Sequence, residues 1–360
     1  MPLYSSAVRM KAVVYRGKDD LRLEEIPVPE PGAGEMLLRV DACGICPTDL
    51  KKIEKGLLPG PRVFGHEIAA TVAALGPGAS GFREGERVVV HHHIPCGSCF
   101  YCEREAFAQC PRYKENGTTA GFEAAGGGYS EYVKALDWIV EGGTIPIPDG
   151  VLSEEAVFVE PVNTCLKAVA KAGVGKGETS LVVGQGPIGL LIMQLLRWSG
   201  AAVIVSDPLA ERRALGRSLG ATVALEAGAD VPAEVRALTD GRGADSAFVA
   251  AVGPAALGQA IAATRAAGRI MSFAATSPGE TAEVDLGAMT ASEKDLLTSY
   301  SASVDLQDQA AQLVFKREIR VRELVSHRLP FERAIEAFDL ARQPGPGTLK
   351  VVVERAVEAR

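Results

Sequence analysis

The six residues Gly184-Gln185-Gly186-Pro187-Ile188-Gly189 decide the fold class of this sequence. They spell G-x-G-x-x-G directly after an apolar segment, residues 180–183, that is predicted to be a strand, and they open an apolar helical pattern over residues 188–198. Such glycines let the backbone turn tightly and approach a pyrophosphate, which then lies at the N-terminus of the helix. The motif alone often marks only a turn, so its position between a strand and a helix is what predicts a dinucleotide-binding unit.

The chain beyond this motif alternates predicted strands and helices. They are strand 201–206, helix 211–219, strand 245–251, helix 255–266 and strand 269–274. This alternation is typical of a parallel sheet with crossover helices. We therefore expect an α/β chain whose residues 156–299 form a doubly wound Rossmann domain that binds NAD.

The first 150 or so residues have a different pattern, with short strands separated by dense Pro and Gly. The predicted strands are 10–15, 21–26, 35–42, 67–75 and 87–91. Near the C-terminus the pattern predicts helix 306–315, a turn at 327–330, helix 332–340 and strand 348–354. We expect a β-rich domain over residues 1–155, completed by residues 300–360.

Composition limits the kinds of partner. The 360 residues are enough for two domains, and 47% hydrophobic with 23% charged residues is ordinary for a globular protein. A net charge of -7 gives no electrostatic reason to expect a nucleic acid or an anionic membrane, so a small-molecule substrate is favoured. No apolar run approaches the roughly 18–20 residues of a membrane span, and Met1 to Arg9 lacks the features of a secretory signal. The expected location is the cytoplasm.

Four cysteines form one tight cluster: Cys96, Cys99, Cys102 and Cys110, spaced C-x2-C-x2-C-x7-C. Four thiolates so close in sequence can surround one tetrahedral Zn²⁺ in a closed, structural site. The alternatives are free or disulfide-paired cysteines and an iron–sulfur cluster. The ferredoxin spacing ends in a gap of three, whereas the last gap here is seven.

A second candidate metal site combines Gly44-Ile45-Cys46-Pro47-Thr48-Asp49 with Gly65-His66-Glu67. A cysteine, a histidine and one carboxylate leave a coordination position for water or substrate, which is characteristic of catalytic zinc. Asp49 is a candidate to orient His66 through its second ring nitrogen. Each residue alone is a weak signal, and their combination with the four-cysteine cluster and the nucleotide motif favours a metal site.

Asp207 follows the second predicted strand of the nucleotide domain, 18 residues after Gly189. An acid there can bind the ribose hydroxyls and repels a 2′-phosphate, which favours NAD over NADP. Arg212 and Arg213 complicate this prediction, since an arginine nearby could receive a phosphate. Gly253, after the strand predicted at 245–251, completes the candidate cofactor-binding residues.

Together these motifs resemble the zinc-containing medium-chain alcohol dehydrogenases, particularly the polyol (sorbitol-type) and threonine dehydrogenase branches. The resemblance runs from Met10-Lys11-Ala12-Val13 to Lys350-Val351-Val352-Val353 and includes Gly127-Gly128-Tyr129-Ser130-Glu131-Tyr132-Val133 and Glu160-Pro161. It implies a GroES-like catalytic domain, two zinc ions per chain, and hydride transfer between NAD and a secondary alcohol or polyol: a sugar alcohol, a cyclitol or an amino alcohol. It also implies a homo-oligomer, a tetramer rather than a dimer.

The resemblance assigns the catalytic zinc ligands position by position. Cys46 and His66 match the first two ligands. The third position falls on Glu160; classical alcohol dehydrogenases carry cysteine there, whereas polyol dehydrogenases carry glutamate, sometimes bound through water. Cys165 is a rival for the third ligand but lies five residues too late for the family spacing. Glu67 is expected to bind zinc directly or transiently.

The resemblance also assigns residues that would contact the substrate or carry its proton away. Thr48 matches the Ser or Thr that hydrogen-bonds the substrate oxygen and starts a proton relay. The family often continues this relay with a histidine three residues on, where this chain has Lys51, so the further route of the proton is open. His92, four residues before Cys96, matches a position that lines the substrate pocket, and a histidine there suits a hydroxylated substrate.

Two other functions remain open from the sequence. One is a zinc-binding reductase of the same superfamily that acts on carbonyl or enone substrates. The other is a non-catalytic zinc or redox sensor, in which the same ligands only hold structure or report metal. About two zinc ions per chain with alcohol oxidation would support the dehydrogenase, and one ion without turnover would support the sensor.

Overall fold

A computed structural model of the chain describes residues 8–113, 115, 117–122, 126–228, 230–274 and 279–355. Of the N-terminal stretch considered for a secretory signal, Met1 to Arg9, the first seven residues lie outside the described ones. The chain divides into two units. The first takes in the described residues up to Asn163, with Ala302–Arg317 and the described residues from Val321 onward; the second is Thr164–Ser301 with Glu318–Arg320.

The elements that begin before Thr164 are mainly strands. The strands are β1 (Arg9–Gly17), β2 (Asp20–Pro27), β3 (Met36–Gly44), β4 (Arg62–Val63), β5 (Glu67–Leu75), β6 (Arg87–Val90), β7 (Thr118–Thr119), β8 (Tyr132–Ala135) and β9 (Thr144–Pro146). The helices are α1 (Pro47–Lys55), α2 (Asp137–Gly142), α3 (Ser153–Ala156) and α4 (Val159–Ala172), with 3-10 turns at Cys102–Arg104 and Phe107–Gln109.

The second unit alternates strands with helices. In chain order its elements are β10 (Thr179–Val183), α5 (Pro187–Trp198), β11 (Ala202–Asp207), α6 (Ala210–Ser218), β12 (Val223–Glu226), α7 (Val231–Ala237), β13 (Ala244–Val249), α8 (Pro254–Ala263), β14 (Thr264–Ser272), α9 (Leu286–Ala291) and β15 (Asp295–Thr298). The strands form one parallel sheet in the order β12-β11-β10-β13-β14-β15. This is the doubly wound order with its reversal beside β10, so the predicted Rossmann fold is confirmed.

The C-terminal elements return to the first unit. They are α10 (Gln307–Phe315), β16 (Val325–Pro330), α11 (Ala334–Arg342) and β17 (Lys350–Glu354), with 3-10 turns at Val304–Leu306, Arg322–Leu324 and Phe331–Arg333. β17 lies between β16 and β3, in a sheet of order β16-β17-β3-β5-β6-β9 that also includes β7 and β8. A further sheet has the order β2-β1-β4. The predicted β-rich fold class is confirmed for this unit.

Burial explains why these segments form their elements. In β10 the residues from Ser180 to Val183 are all buried, as expected for a strand covered on both faces. β5 has the bounds that the sequence predicts. Among the helices of the described residues, none has both the length and the apolar character needed to cross a lipid bilayer.

One predicted turn was wrong, and one predicted helix is shorter than expected. The turn predicted at 327–330 is the end of β16, where Pro330 occupies the last position and β17 is the pairing partner; a proline that ends a strand costs little, because its missing N–H is not needed to extend the ladder. The helix predicted at 255–266 ends at Ala263, because Thr264 begins β14 and pairs with Ala244 of β13. Pairing within the sheet overrides the helix propensity of the alanines.

Six helices in the described part of the chain were not predicted, α1, α2, α3, α4, α7 and α9, and two of them, α1 and α4, carry candidate site residues. α1 begins with Pro47 at its first position, and the residue after its end, Gly56, has a φ of 62° that closes the helix in the left-handed region. α4 begins one residue before Glu160. The proline and glycine that flank α1 are signals that could have found it.

Candidate active site and metal centres

Cys46, His66 and Glu67 lie together in the first unit. Cys46 immediately precedes α1, and His66 and Glu67 stand at the beginning of β5. The ligand atoms of the three side chains all lie within 4.8 Å of one another. A thiol, an imidazole and a carboxylate so arranged form a donor set that suits one zinc ion.

Asp49 fixes the orientation of the His66 ring. Its Oδ2 lies 3.0 Å from His66 Nδ1 and also accepts the backbone N–H of Gly65 at 3.2 Å. Burial alone would raise the pKa of Asp49, but the charges of His66 and Lys52 outweigh it and hold that pKa well below its usual range. Because Nδ1 donates to Asp49, Nε2 is the nitrogen left for a metal, which would bind the ring in its neutral form. The predicted contact between the two residues is present.

Glu67 has a buried cationic partner that the sequence did not indicate. Lys350 Nζ, on β17, lies 2.7 Å from both Glu67 carboxylate oxygens and donates to the carbonyl of Ile45 at 3.2 Å. Burial alone would lower the pKa of Lys350, but the Glu67 charge raises it above its usual value. A Cβ on Gly44 would lie 2.0 Å from Glu67 Oε2, so only glycine leaves room for this carboxylate.

Glu160 lies outside the group of three converging donors. It is the second residue of α4 and is half-buried. Burial raises its pKa to about 7, against the opposing influence of His66.

The two buried cysteines outside the four-cysteine lobe do not join the three donors. Cys165, the rival for the third ligand, is fully buried farther along α4 and belongs to the second unit. Cys43 is buried in β3, and burial raises its pKa well above the usual thiol value.

Thr48 and Lys51 lie on α1, two and five residues after Cys46, and both are half-buried. Thr48 is in the first turn of the helix, so its hydroxyl is on the same segment as the thiol. The neighbouring Lys52 donates to Asp49 Oδ1 at 3.4 Å. α1 therefore carries the predicted relay residue and a cation that supports the His66 partner.

His92 packs directly against the predicted ligand His66. The two ring centroids are 4.8 Å apart, and those of His92 and His93 are 4.5 Å apart. Burial, together with the neighbouring His93 and His66, lowers the pKa of His92 well below its usual value. Among the described residues, none gives a hydrogen bond to the buried His92 Nδ1. His92 is thus a neutral imidazole beside the donor set with an unsatisfied polar atom.

The four lobe cysteines converge as the spacing predicts. All four Sγ atoms lie within 4.8 Å of one another, with Cys99 to Cys102 at 3.5 Å and Cys96 to Cys102 at 4.0 Å. A tetrahedral site with Zn–S bonds of about 2.3 Å places its sulfurs about 3.8 Å apart. All seven cysteines of the chain lie within the described residues, and none forms a disulfide bond. Hydrogen bonding from the Ser98 backbone lowers the pKa of Cys96 to about 6, which favours a thiolate.

In the second unit the glycine motif forms the turn from β10 into α5. A Cβ on Gly189 would lie 1.8 Å from the carbonyl oxygen of Gly184, so the helix can approach the strand only with glycine at position 189. Gly186 is the N-terminal cap residue of α5, Pro187 is its first residue, and a Cβ on Gly186 would meet nothing within 4 Å. Gly186, Pro187 and Ile188 are half-exposed at this turn. Gly253 is the N-terminal cap residue of α8, with a φ of 102° and nothing within 4 Å of an added Cβ.

Asp207 ends β11 beside this turn. Its Oδ2 accepts the backbone N–H of Gln185 at 2.6 Å and its Oδ1 accepts that of Leu209 at 2.9 Å. Arg213 turns back onto the main chain, with Nη1 donating to the carbonyls of Asp207 and Pro208. Arg212 is partly exposed on α6. Asp207 therefore ties the glycine turn to β11 and keeps acceptor capacity for a further donor.

Two family models match the chain. Residues 32–149 match the alcohol dehydrogenase GroES-like domain, and residues 187–316 match the zinc-binding dehydrogenase domain. The L-threonine 3-dehydrogenase of Pyrococcus horikoshii is 32% identical over 333 residues, which cover 89% of this chain and 91% of the relative. The sorbitol dehydrogenase of Bacillus subtilis is 28% identical over 351 residues, 96% of this chain and 97% of the relative.

Solved structures show the same likeness. A zinc-binding dehydrogenase of Sinorhizobium meliloti 1021 bound to NADP has a TM-score of 0.86 at 28% identity, covering 96% of this chain and 99% of that one. The 2R,3R-butanediol dehydrogenase of Bacillus subtilis has a TM-score of 0.83 at 26% identity, covering 96% and 100%.

A nucleotide fold joined to a GroES-like unit with two converging donor sets defines a metal-dependent oxidoreductase. The chain belongs to the zinc-containing medium-chain alcohol dehydrogenase family, in its polyol and threonine dehydrogenase branch. The prediction of a zinc-dependent alcohol or polyol dehydrogenase is confirmed at the level of this class.

Proposed function

We propose that this chain oxidises a secondary hydroxyl of a polyol or amino alcohol with NAD, at a zinc ion held by Cys46, His66 and Glu67, with Glu160 completing the site directly or through water. The observation that carries this proposal is the convergence of the three donor atoms within 4.8 Å. Carbonyl reduction is the reverse of the same reaction and uses the same residues.

The donor set fits zinc for reasons of chemistry. Thiolate, neutral imidazole and carboxylate are the ligands found in catalytic zinc sites, and three of them leave a position open. Zinc bound there supplies a Lewis acid, which lowers the pKa of an alcohol hydroxyl toward neutrality. Lys350 engages both Glu67 oxygens, and each oxygen retains a second lone pair that can face a metal.

The chain's own residues move the proton. Thr48, on the first turn of α1, accepts the proton of the substrate hydroxyl and passes it outward. Lys51, one turn further along the helix, is proposed as the next group on the route. Glu160, with a pKa that burial raises to about 7, can also hold a proton near neutral pH. Asp49 keeps His66 in the tautomer that ligation requires.

His92 is proposed to select hydroxylated substrates. Its buried Nδ1 has no hydrogen bond from the described residues, and its lowered pKa keeps the ring neutral, so it can accept a hydrogen bond from a second substrate hydroxyl. Sorbitol and threonine, the substrates in the names of two relatives, both carry a hydroxyl next to a carbon that bears another heteroatom. We therefore infer a vicinal polyol or amino alcohol as the substrate class.

This inference is tested by the substitution His92→Phe. It should lower kcat/KM for vicinal polyols about tenfold relative to a monohydric secondary alcohol, since one hydrogen bond of about 1.4 kcal/mol is lost. An unchanged ratio would remove His92 from the substrate site.

NAD is proposed rather than NADP. Open space beside Gly186 at the start of α5 leaves room for a pyrophosphate, and the Asp207 carboxylate next to it favours ribose hydroxyls over a phosphate. The dinucleotide supplies the hydride acceptor. Because the similar Sinorhizobium meliloti chain was bound to NADP, both dinucleotides belong in the assay.

We further propose that the four-cysteine lobe holds a second, structural zinc.

We also propose that the chain assembles into a homo-oligomer, which the family resemblance implies to be a tetramer. β15 pairs with β14, no strand among the described residues pairs with its other edge, and Leu296 on it is exposed. Such an edge favours pairing with a second copy. Light scattering of Leu296→Lys should show a smaller species than that of Leu238→Lys, a control at another exposed leucine. The cytoplasm is proposed because none of the seven cysteines that the structure describes forms a disulfide bond, as expected where thiols are kept reduced.

The function is tested by an NAD-reduction screen over monohydric alcohols, polyols and amino alcohols, with zinc content measured on the same samples. The wild type should bind two zinc ions and oxidise a polyol or amino alcohol. Cys46→Ser should lose one zinc and nearly all turnover, while Cys165→Ala, a control at a thiol outside the donor set, should keep both. One bound zinc and no turnover in the wild type would instead indicate a sensor.

A further inference from the structure

A buried hydrogen-bond network joins α4, α10 and the residue that follows β6. Asn163 Nδ2 donates to the carbonyl of Ser303 and to Gln307 Oε1, each at 2.9 Å, and Asn163 Oδ1 accepts the Ser303 backbone N–H at 2.8 Å. Gln307 Oε1 lies 3.0 Å from His91 Nδ1. All four residues are buried and belong to the first unit. The family resemblance assigns no role to any of them.

The backbone of Ser303 fixes the direction of every bond in this network. Its N–H can only donate and its carbonyl can only accept, so the Asn163 amide has one possible orientation. Asn163 Nδ2 is then a donor, and the Gln307 atom that receives it must be the oxygen. Because that oxygen is an acceptor, His91 Nδ1 must carry a proton and donate it.

The His91 ring supports His92. The two rings are nearly parallel, at 27° with centroids 5.8 Å apart, and His92 in turn packs on His66 with centroids 4.8 Å apart. His92 Nδ1 has no hydrogen bond from the described residues, so ring packing is what orients His92. The His91 ring is therefore one of three imidazoles whose packing orients His92, the others being His66 and His93.

The same network also anchors the start of α4. Asn163 lies three residues after Glu160 on this helix, so the two side chains project from neighbouring positions on one face. Two hydrogen bonds to Ser303 and one to Gln307 fix that turn of α4 to the segment before α10.

We propose that Asn163, Gln307 and His91 are positioning residues: they hold His91 with its proton on Nδ1 and thereby set the placement of His92 and of the α4 turn that carries Glu160. None of the three touches the reacting atoms; they act through His92 and Glu160. The effect on turnover rests on the proposed function, whereas the protonation of His91 does not.

The protonation is tested by 15N NMR on zinc-loaded protein labelled selectively at its five histidines, with His91 assigned from a His91→Asn variant. The wild type should show a protonated Nδ1 on His91. Gln307→Leu, which removes the acceptor, should shift the His91 Nδ1 signal toward the other tautomer. Gln312→Leu, at an exposed position of the same helix, should leave it unchanged. An unprotonated His91 Nδ1 in the wild type overturns the proposal even if Gln307→Leu fails to fold.

Positioning is tested by substrate selectivity, which a loss of stability alone would not change. Gln307→Leu should lower the ratio of kcat/KM for a polyol to that for a monohydric alcohol by about tenfold, with two zinc ions still bound. Gln307→Glu keeps an oxygen acceptor for both Asn163 and His91 and should restore most of the ratio. An unchanged ratio in Gln307→Leu overturns the positioning role. A wild type that oxidises no alcohol would instead contradict the proposed function, and the NMR result would still decide the protonation of His91.

Discussion

Lys350 and Glu67 form a buried ion pair in which Lys350 Nζ lies 2.7 Å from both carboxylate oxygens, although the two residues are 283 positions apart in the chain. Their side chains are 4% and 2% exposed. The last strand of the chain thus supplies the counter-charge for a carboxylate in the candidate zinc site. Without Lys350, Glu67 would be a buried anion beside Asp49 and Cys46.

Lys350→Met is therefore predicted to destabilise the protein strongly. Removing one partner of a buried ion pair costs about 3–5 kcal/mol, because the remaining charge is left uncompensated. The midpoint of urea unfolding in zinc-free buffer measures this loss.

The double variant Lys350→Met/Glu67→Gln should recover most of the stability, because neither charge remains. Arg333→Met, which breaks an exposed ion pair with Glu336, should cost less than about 1 kcal/mol. A double variant no more stable than Lys350→Met would show that the lysine acts through packing rather than through charge.

Glu160 is predicted to make the metal-free protein less stable as the pH rises. Its folded pKa, about 7, lies above the ordinary 4.5, so between these values the folded chain holds a proton that the unfolded chain releases. The stability contributed by the neutral carboxyl is therefore present at low pH and is lost as the pH rises through about 7.

Glu160→Gln, which is neutral at every pH, should thus gain stability over the wild type as the pH rises from 4.5 to about 7, and the gain should level off above that pH. Urea unfolding of both proteins across this range in the presence of a chelator measures the difference. If the difference in unfolding free energy between the two proteins does not change across this pH range, the Glu160 carboxylate is ionised in the folded chain over the whole range.

Asp207→Ala is predicted to weaken the use of NAD. The substitution removes the acceptor of the Gln185 and Leu209 N–H groups and, in the proposed NAD complex, that of the ribose hydroxyls. Loss of a charged hydrogen-bond acceptor costs about 1.5–3 kcal/mol, roughly a 10- to 150-fold fall in kcat/KM for NAD. The ratio of kcat/KM for NAD to that for NADP should fall as well. Arg212→Ala should keep the NAD value, and an unaltered ratio in Asp207→Ala would contradict the assignment.

Cys110→Ser is predicted to remove the lobe zinc and leave the other ion in place. Cys110 is buried, and its Sγ accepts the backbone N–H of Cys96 at 3.4 Å, so the thiol is built into the lobe. Metal analysis should show a loss of about one zinc per chain, together with a lower thermal midpoint, since structural zinc contributes directly to folding. Iron rather than zinc in the wild type would favour the cluster alternative.

The features that the sequence predicts well are local ones. The glycine motif, the strand before it and the helix after it occupy adjacent residues, so periodicity and turn chemistry suffice to find them. The cysteine lobe is local for the same reason. α1 escaped detection because only Asp49, Leu50 and Ile53 of its nine residues are buried, which leaves a weak apolar pattern.

The contacts that the sequence does not reveal join distant segments. Lys350 stands in an apolar strand, and nothing near it in sequence identifies Glu67 as its partner. The network of Asn163, Gln307 and His91 likewise needs three elements to meet, at separations of 144 and 216 residues. Such contacts depend on tertiary packing, for which short-range patterns carry no signal.

The central claim is a zinc ion bound by Cys46, His66 and Glu67, and an anomalous difference map collected at the zinc edge from zinc-loaded crystals tests it most directly. The account predicts two peaks per chain, one within the four-cysteine lobe and one within bonding distance of Cys46 Sγ and His66 Nε2. A single peak in the lobe, from protein that still oxidises alcohols, would contradict it.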